Sequence, residues 1–262
     1  MTNESVAKAP KSTAPSAPGE ALQARETRLF SLDGKPVAFT SGQTILEAAT
    51  AAGRYIPHLC AHPDFPPHSS CKLCVVKANG RYLSACSTRA REGLEVESNT
   101  PELNGRRRTL LQMIFVEGNH YCPGCEKSGF CDLQALAYQL EMQNPHFSHF
   151  WPDRTVDASH PDVFIDFNRC IFCELCVRAS RDVDGKHIFA LTGRGIKKHL
   201  CINSRTGKLG DTDFSAADRA ANICPVGAIL KKHVGFSTPI GKRTYDATPI
   251  SVVSLASLEA SK

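Results

Sequence analysis

The sequence predicts an α+β chain of three small units, each organised around a clump of cysteines. Three observations lead there. Twelve cysteines occur in 262 residues, and most fall in groups with two residues between neighbours. Short strand signals and short amphipathic helices alternate, with no fixed period of the solenoid kind. Hydrophobic residues make up 42% and charged residues 22%, ordinary globular usage that excludes wholesale disorder and collagen-like structure. No apolar run approaches the ~18 residues that a membrane span requires, and no basic segment followed by an apolar stretch suggests export. A cytoplasmic protein without a membrane partner is therefore expected. A net charge of +5 alone does not argue for nucleic acid, which would want a clustered basic face, so nucleic acid is not an expected partner.

Residues 1–26, rich in Ala, Pro, Ser and Lys, read as a mobile tail. Residues 27–98 read as the first unit. Segments 29–32 and 36–39 flank Asp33-Gly34 as a hairpin. Thr44 and Glu47 form a capping box for a helix that places Ile45, Ala48, Ala49 and Ala52 on one face and ends before Gly53. Segments 75–77 and 81–83 flank Asn79-Gly80, a type I′ signal, and residues 95–97 make a last strand. Residues 99–150 read as a helical unit. Asn99 or Thr100 caps its first helix and Pro101 occupies the first turn; Leu103, Leu110, Leu111, Ile114 and Phe115 repeat at helical spacing, and Gly118 closes it. Arg106, Arg107 and Arg108 are expected mostly on the exposed side. A second helix follows over 133–140, and the aromatic segment 145–152 reads as a surface connector. Residues 151–235 read as the third unit, with a strand at 163–165, a helix to about Val183, strands near Ile188 and over 196–202, and a short helix from Ser215. Residues 236–262 read as a polar C-terminal tail.

Disulfide frameworks belong to short secreted chains, so the cysteines point to metal. Cys60, Cys71, Cys74 and Cys86, on one irregular loop, suit a [2Fe–2S] rhomb or zinc; a zinc ribbon would usually offer two C-x2-C knuckles, and here there is one. His120, Cys122, Cys125 and Cys131 precede a helix and suit either a [4Fe–4S] cube or a Cys3His zinc site. Cys170, Cys173 and Cys176 form the C-x2-C-x2-C signature of a [4Fe–4S] cluster. Ser180 stands where a two-cluster ferredoxin would carry its next cysteine, so Cys224, followed by Pro225, becomes the fourth ligand. Cys201 is left over and reads as a small apolar side chain within a strand.

These three sets, in this order, resemble the N-terminal part of the large iron–sulfur subunit of respiratory complex I over roughly residues 28–231. The segments Cys131-Asp132-Leu133-Gln134 and Cys170-Ile171-Phe172-Cys173-Glu174-Leu175-Cys176-Val177-Arg178 carry the resemblance. Complex I has H-x3-C at the second site, whereas this chain has H-x-C. Gly118-Asn119-His120-Tyr121-Cys122 and the short stretch after the third set are similar to the diaphorase iron–sulfur subunits of Hox-type NAD-reducing nickel–iron hydrogenases. That resemblance implies a β-grasp ferredoxin-like [2Fe–2S] domain, a helical His/Cys3 [4Fe–4S] segment and a small ferredoxin-like [4Fe–4S] domain. It implies an electron relay with no acid–base catalyst, in a complex running H2 + NAD+ = NADH + H+. FMN and the NAD site would lie on a flavin diaphorase partner, and nickel–iron chemistry on hydrogenase small and large subunits. By the same analogy the [2Fe–2S] centre would face the flavin, the Cys170 set would come next, and the His120 set would face the hydrogenase. The chain has no G-x-G-x-x-G after a strand and no P-loop, in keeping with that division. The rival expectations are an equivalent relay of a formate dehydrogenase or complex I-type enzyme, and a zinc-stabilised scaffold.

Overall fold

Alternating burial lays down the first sheet. In β1 (Arg28–Leu32) and β2 (Lys35–Phe39), Phe30, Leu32, Val37 and Phe39 face the core. Asp33 and Gly34, both at positive φ, make the tight turn between them. β3 (Val75–Ala78) and β4 (Arg81–Ser84) repeat the device around Asn79-Gly80. β5 (Glu95–Glu97) completes the order β2-β1-β5-β3-β4, running parallel to β1 and antiparallel to β3. α1 (Ile45–Ala51) starts at the expected capping box. The Glu47 N–H donates to Thr44 Oγ1 at 3.2 Å, and the Thr44 N–H donates to the Glu47 carboxylate at 2.7 Å. Its Ile45, Ala48 and Ala49 are buried in one core with the sheet. A mixed sheet grasping one helix is the expected β-grasp unit. This computed structural model describes residues 28–259; the expected N-terminal tail lies outside them.

α2 (Pro101–Glu117) begins at Thr100, whose hydroxyl accepts the Leu103 N–H. Of the three arginines expected outside, Arg107 is buried, at 1% exposure. Its guanidinium donates to the carbonyls of Leu73, Ser98 and Val75 at 3.0, 2.7 and 2.6 Å. These carbonyls border the first cysteine loop and the end of the first unit, and one five-donor fork reaches all three. α3 (Asp132–Gln139) matches the second expected helix.

The third unit holds β6 (Val156–Asp157), β7 (Val163–Asp166), α4 (Leu175–Asp182), β8 (Phe189–Thr192), β9 (His199–Ile202), α5 (Arg219–Asn222) and β10 (Ile229–Lys231). Its sheets are β10-β7-β6 and β8-β9, all antiparallel. The strand expected over 196–202 begins only at His199. Gly195–Lys197 is a 3-10 turn, and Ile196 is 79% exposed. Gly193 dictates this: at φ 77, a Cβ there would stand 2.1 Å from the Lys197 carbonyl oxygen, so the chain doubles back where an extended strand was expected. The helix expected from Ser215 starts at Arg219.

The expected C-terminal tail is corrected in part. It carries α6 (Ile250–Glu259), whose Ile250 is buried against Leu136, Leu140 and Met142. Before it, the Tyr245 N–H donates to the Gly129 carbonyl at 2.9 Å, and the Tyr245 hydroxyl donates to Asp132 Oδ1 at 2.7 Å. Residues 243–259 form a strap along the loop that bears Cys131.

Candidate metal centres

The first set sits where the loop after α1 returns toward β3. Lys72 and Ser69 adopt left-handed backbone there, at φ 58 and 61. Such conformations are uncommon for side-chain-bearing residues and bend the loop tightly. The Cys71 N–H points at Cys60 Sγ, 3.5 Å away. The Cys60 and Cys71 thiols hydrogen-bond to each other, as do those of Cys74 and Cys86. Cys60 is lowered by the Cys71 thiol and by the Cys71 and Ser70 amides, while Cys71 is raised. Cys86 is lowered by the Cys74 thiol, and Cys74 is raised. All four expected residues therefore meet, and backbone amides already face the sulfurs.

The second set lies between α2 and α3. His120, Cys122, Cys125 and Cys131 ring a hollow of about 330 Å³, counted to its mouth. Each is placed by a local device. The Asn119 N–H donates to the Asn168 carbonyl, and the His120 ring packs edge-on against Phe115 with centroids 5.4 Å apart. Cys122 opens a 3-10 turn and Cys131 precedes the first residue of α3. His120 Nε2 is buried without a hydrogen-bond partner. Burial, then the charge of Arg169, pulls this imidazole down to about 4, so it is neutral near pH 7. A neutral ring with one buried, unpartnered nitrogen is the form in which histidine binds metal. Gly118 is required here: a Cβ would stand 2.5 Å from His120 Nε2. Burial pushes the Cys131 thiol up to about 12, and a coordinating cation reverses such a shift by taking the thiolate.

The third set surrounds an apolar hollow. Cys170, Cys173, Cys176 and Cys224 ring a second hollow of about 360 Å³ lined by Leu191 and Val226. Phe172 and Glu174, at φ 54 and 61, turn the chain between successive cysteines, and Leu175 starts α4 immediately after. Burial in apolar surroundings pushes Cys170 up to about 12 and raises Cys173 and Cys176 further. Among the described residues, no three His, Cys, Asp or Glu side chains converge tightly on a single-ion site; the donors instead ring these wider hollows. Cys201, on β9, donates its thiol to the Ala190 carbonyl at 3.3 Å, away from all three sets.

Shared backbone joins the sets. The turn Cys224-Pro225-Val226-Gly227 supplies Cys224 to the third set and covers the second: a Cβ on Gly227 would meet Cys125 Sγ at 2.6 Å. The Pro225 carbonyl accepts the Asp132 N–H at 2.9 Å. Arg169, next to Cys170, reaches back to Cys125 Sγ at 3.5 Å and pairs with Glu126 and Asp166. Arg178 links the first and third sets through the carbonyls of Cys60 and Cys173. Sequence reading gave Arg169, Arg178, Gly118 and Gly227 no role at these sites, although Gly118 and Arg178 stand in the motifs that carry the resemblance. Position was the available signal: Arg169 immediately precedes a cysteine and Arg178 follows Cys176 by two.

Comparison with known proteins accounts for these groupings. A 2Fe-2S iron-sulfur cluster binding domain matches residues 26–101, an NADH-ubiquinone oxidoreductase-G iron-sulfur binding region matches 107–146, and a 4Fe-4S single cluster domain matches 163–230. Over 227 residues the chain is 39% identical to the gamma subunit of NAD-reducing hydrogenase HoxS of Cupriavidus necator, covering 86% of this chain and 96% of that protein. The chain belongs to the family of that HoxS gamma subunit. A crystal structure of NAD+-reducing [NiFe]-hydrogenase in the H2-reduced state contains a chain 55% identical to this one, with a TM-score of 0.85 over 87% of this chain and 97% of that chain. An NADH-quinone oxidoreductase subunit of Rhizobium meliloti is 31% identical over 76% of this chain, which spans 23% of that longer protein. The family match bears out the Hox-type and complex I resemblances and the α+β iron–sulfur fold, with one [2Fe–2S] and two [4Fe–4S] centres. The chain is a member of an oxidoreductase-subunit family. No described helix is long and apolar enough to cross a membrane.

Proposed function

We propose that this chain relays electrons between a flavin subunit that binds NAD(H) and a nickel–iron hydrogenase pair, within a cytoplasmic complex running H2 + NAD+ = NADH + H+. Cys60, Cys71, Cys74 and Cys86 hold the [2Fe–2S] cluster. His120, Cys122, Cys125 and Cys131 hold one [4Fe–4S] cluster, and Cys170, Cys173, Cys176 and Cys224 the other. The clusters supply one-electron exchange; the chain supplies thiolates, burial and amide donors, and no acid–base catalyst. The observation that carries this reading is the contact between successive sets. Arg178 joins the first to the third, and the Cys224–Gly227 turn joins the third to the second. That order supports entry at the [2Fe–2S] end and exit at the His120 end.

Low-temperature electron paramagnetic resonance of the dithionite-reduced protein tests the reading, together with iron and sulfide counts. About ten irons per chain are expected from one two-iron and two four-iron clusters. Zinc in place of iron and no acid-labile sulfide would overturn it. Nickel in the co-purifying complex supports the hydrogenase assignment; molybdenum would point to a formate dehydrogenase. His120→Ala is expected to remove or alter the signal of the second cluster alone, and an unchanged signal would strike His120 from the ligands.

A further inference from the structure

Arg178 is 5% exposed. Its guanidinium donates to the Cys60 carbonyl at 2.7 Å and the Pro66 carbonyl at 2.9 Å, 118 and 112 residues earlier in the chain. It also reaches the Cys173 carbonyl at 3.4 Å and the Glu174 carbonyl at 3.3 Å, and it lies 5.3 Å from the centre of the Phe65 ring. All of these acceptors are carbonyl oxygens. Asp182, a carboxylate that feels this charge, is bound to Arg181 instead. Arg169 differs, because it pairs with the carboxylates of Glu126 and Asp166. Burying a guanidinium without an anionic partner is costly, so an anion nearby is expected. The carbonyls that Arg178 grips belong to Cys60 and Cys173, whose sulfurs belong to the first and third sets.

We propose that Arg178 is a positioning residue that supplies a counter-charge shared by the first and third clusters, raising both reduction potentials while its fork fixes their spacing. The inference rests on the ligand assignment above. Four thiolates make each set anionic, and an arriving electron adds a further negative charge. A fixed cation in a low-dielectric core favours that reduced state. The second set has an arginine of its own, Arg169, paired with Glu126 and Asp166.

Arg178→Gln and Arg178→Lys in the full chain test this by potentiometric titration followed by paramagnetic resonance. Iron and sulfide in the parent protein test the ligand assignment separately; the inference is read from the difference between the two variants. Gln is expected to move both flanking midpoints negative by about tenfold in the reduction equilibrium, about 59 mV for one electron, or to empty those two sites. The His120 cluster should stay unmoved, and Lys should recover more than half of the defect. Unmoved midpoints in the Gln variant, or a Lys variant as defective as Gln, would overturn it.

Discussion

The third and second cysteine sets offer four donors each, in different surroundings. Cys173 and Cys176 belong to the same core as Val163, Ile165, Leu175 and Phe189, so the site they line is continuous with the interior of its unit. The second set is divided: Cys131 shares a core with Leu111, Leu133 and Leu136, while the rest of the site lies under loops, with a 3-10 turn at Cys122–Gly124, an exposed Tyr121, a salt-bridged Arg169 and the strap over residues 128–132. The lesson is that one chemistry has two structural roles. In the core a cluster stands where apolar side chains would otherwise pack, and the unit folds around it. Under the loops it ties down segments that a neighbouring frame already supports.

The largest effect tests this contrast directly. Cys173→Ser and Cys125→Ser should each cost about four irons per chain. Only Cys173→Ser should also melt its unit, seen as a lowered thermal midpoint and raised protease sensitivity, because metal binding there is coupled to core formation. Equal melting of the two variants would erase the distinction. A smaller effect sharpens it from the other side. Tyr245→Phe removes the hydroxyl bond to Asp132 and should cost about 1 kcal/mol. It should hasten bleaching of the second cluster in air while sparing the third; equal bleaching of both would show that the strap braces nothing local. The smallest effect is the control. Cys201→Ser, outside every set, should leave iron content unchanged and stability within ~0.5 kcal/mol. Loss of about four irons there would show that a ligand had been misassigned.

What was legible in the sequence follows the range of the interactions. The Thr44–Glu47 box, the Asp33-Gly34 and Asn79-Gly80 turns and the cysteine spacings are local, and the structure brings each expected donor to its set. Arg107 was misread because its acceptors, Leu73 and Val75, lie 34 and 32 residues away, and nothing in a run of three arginines marks the one that turns inward. The strap was missed for the same reason: Tyr245 meets Asp132 across 113 residues, so its segment reads as polar tail until α3 is in place. The strand start at His199, displaced from 196, turns on Gly193, whose close approach to Lys197 only the folded backbone reveals.

The strap also has a consequence in time. Residues 243–259 leave the ribosome after His120, Cys122, Cys125 and Cys131, and after the Gly227 turn that backs them. Every donor of that site is synthesised before its brace exists. In the interval between the two, that pocket stands without its brace.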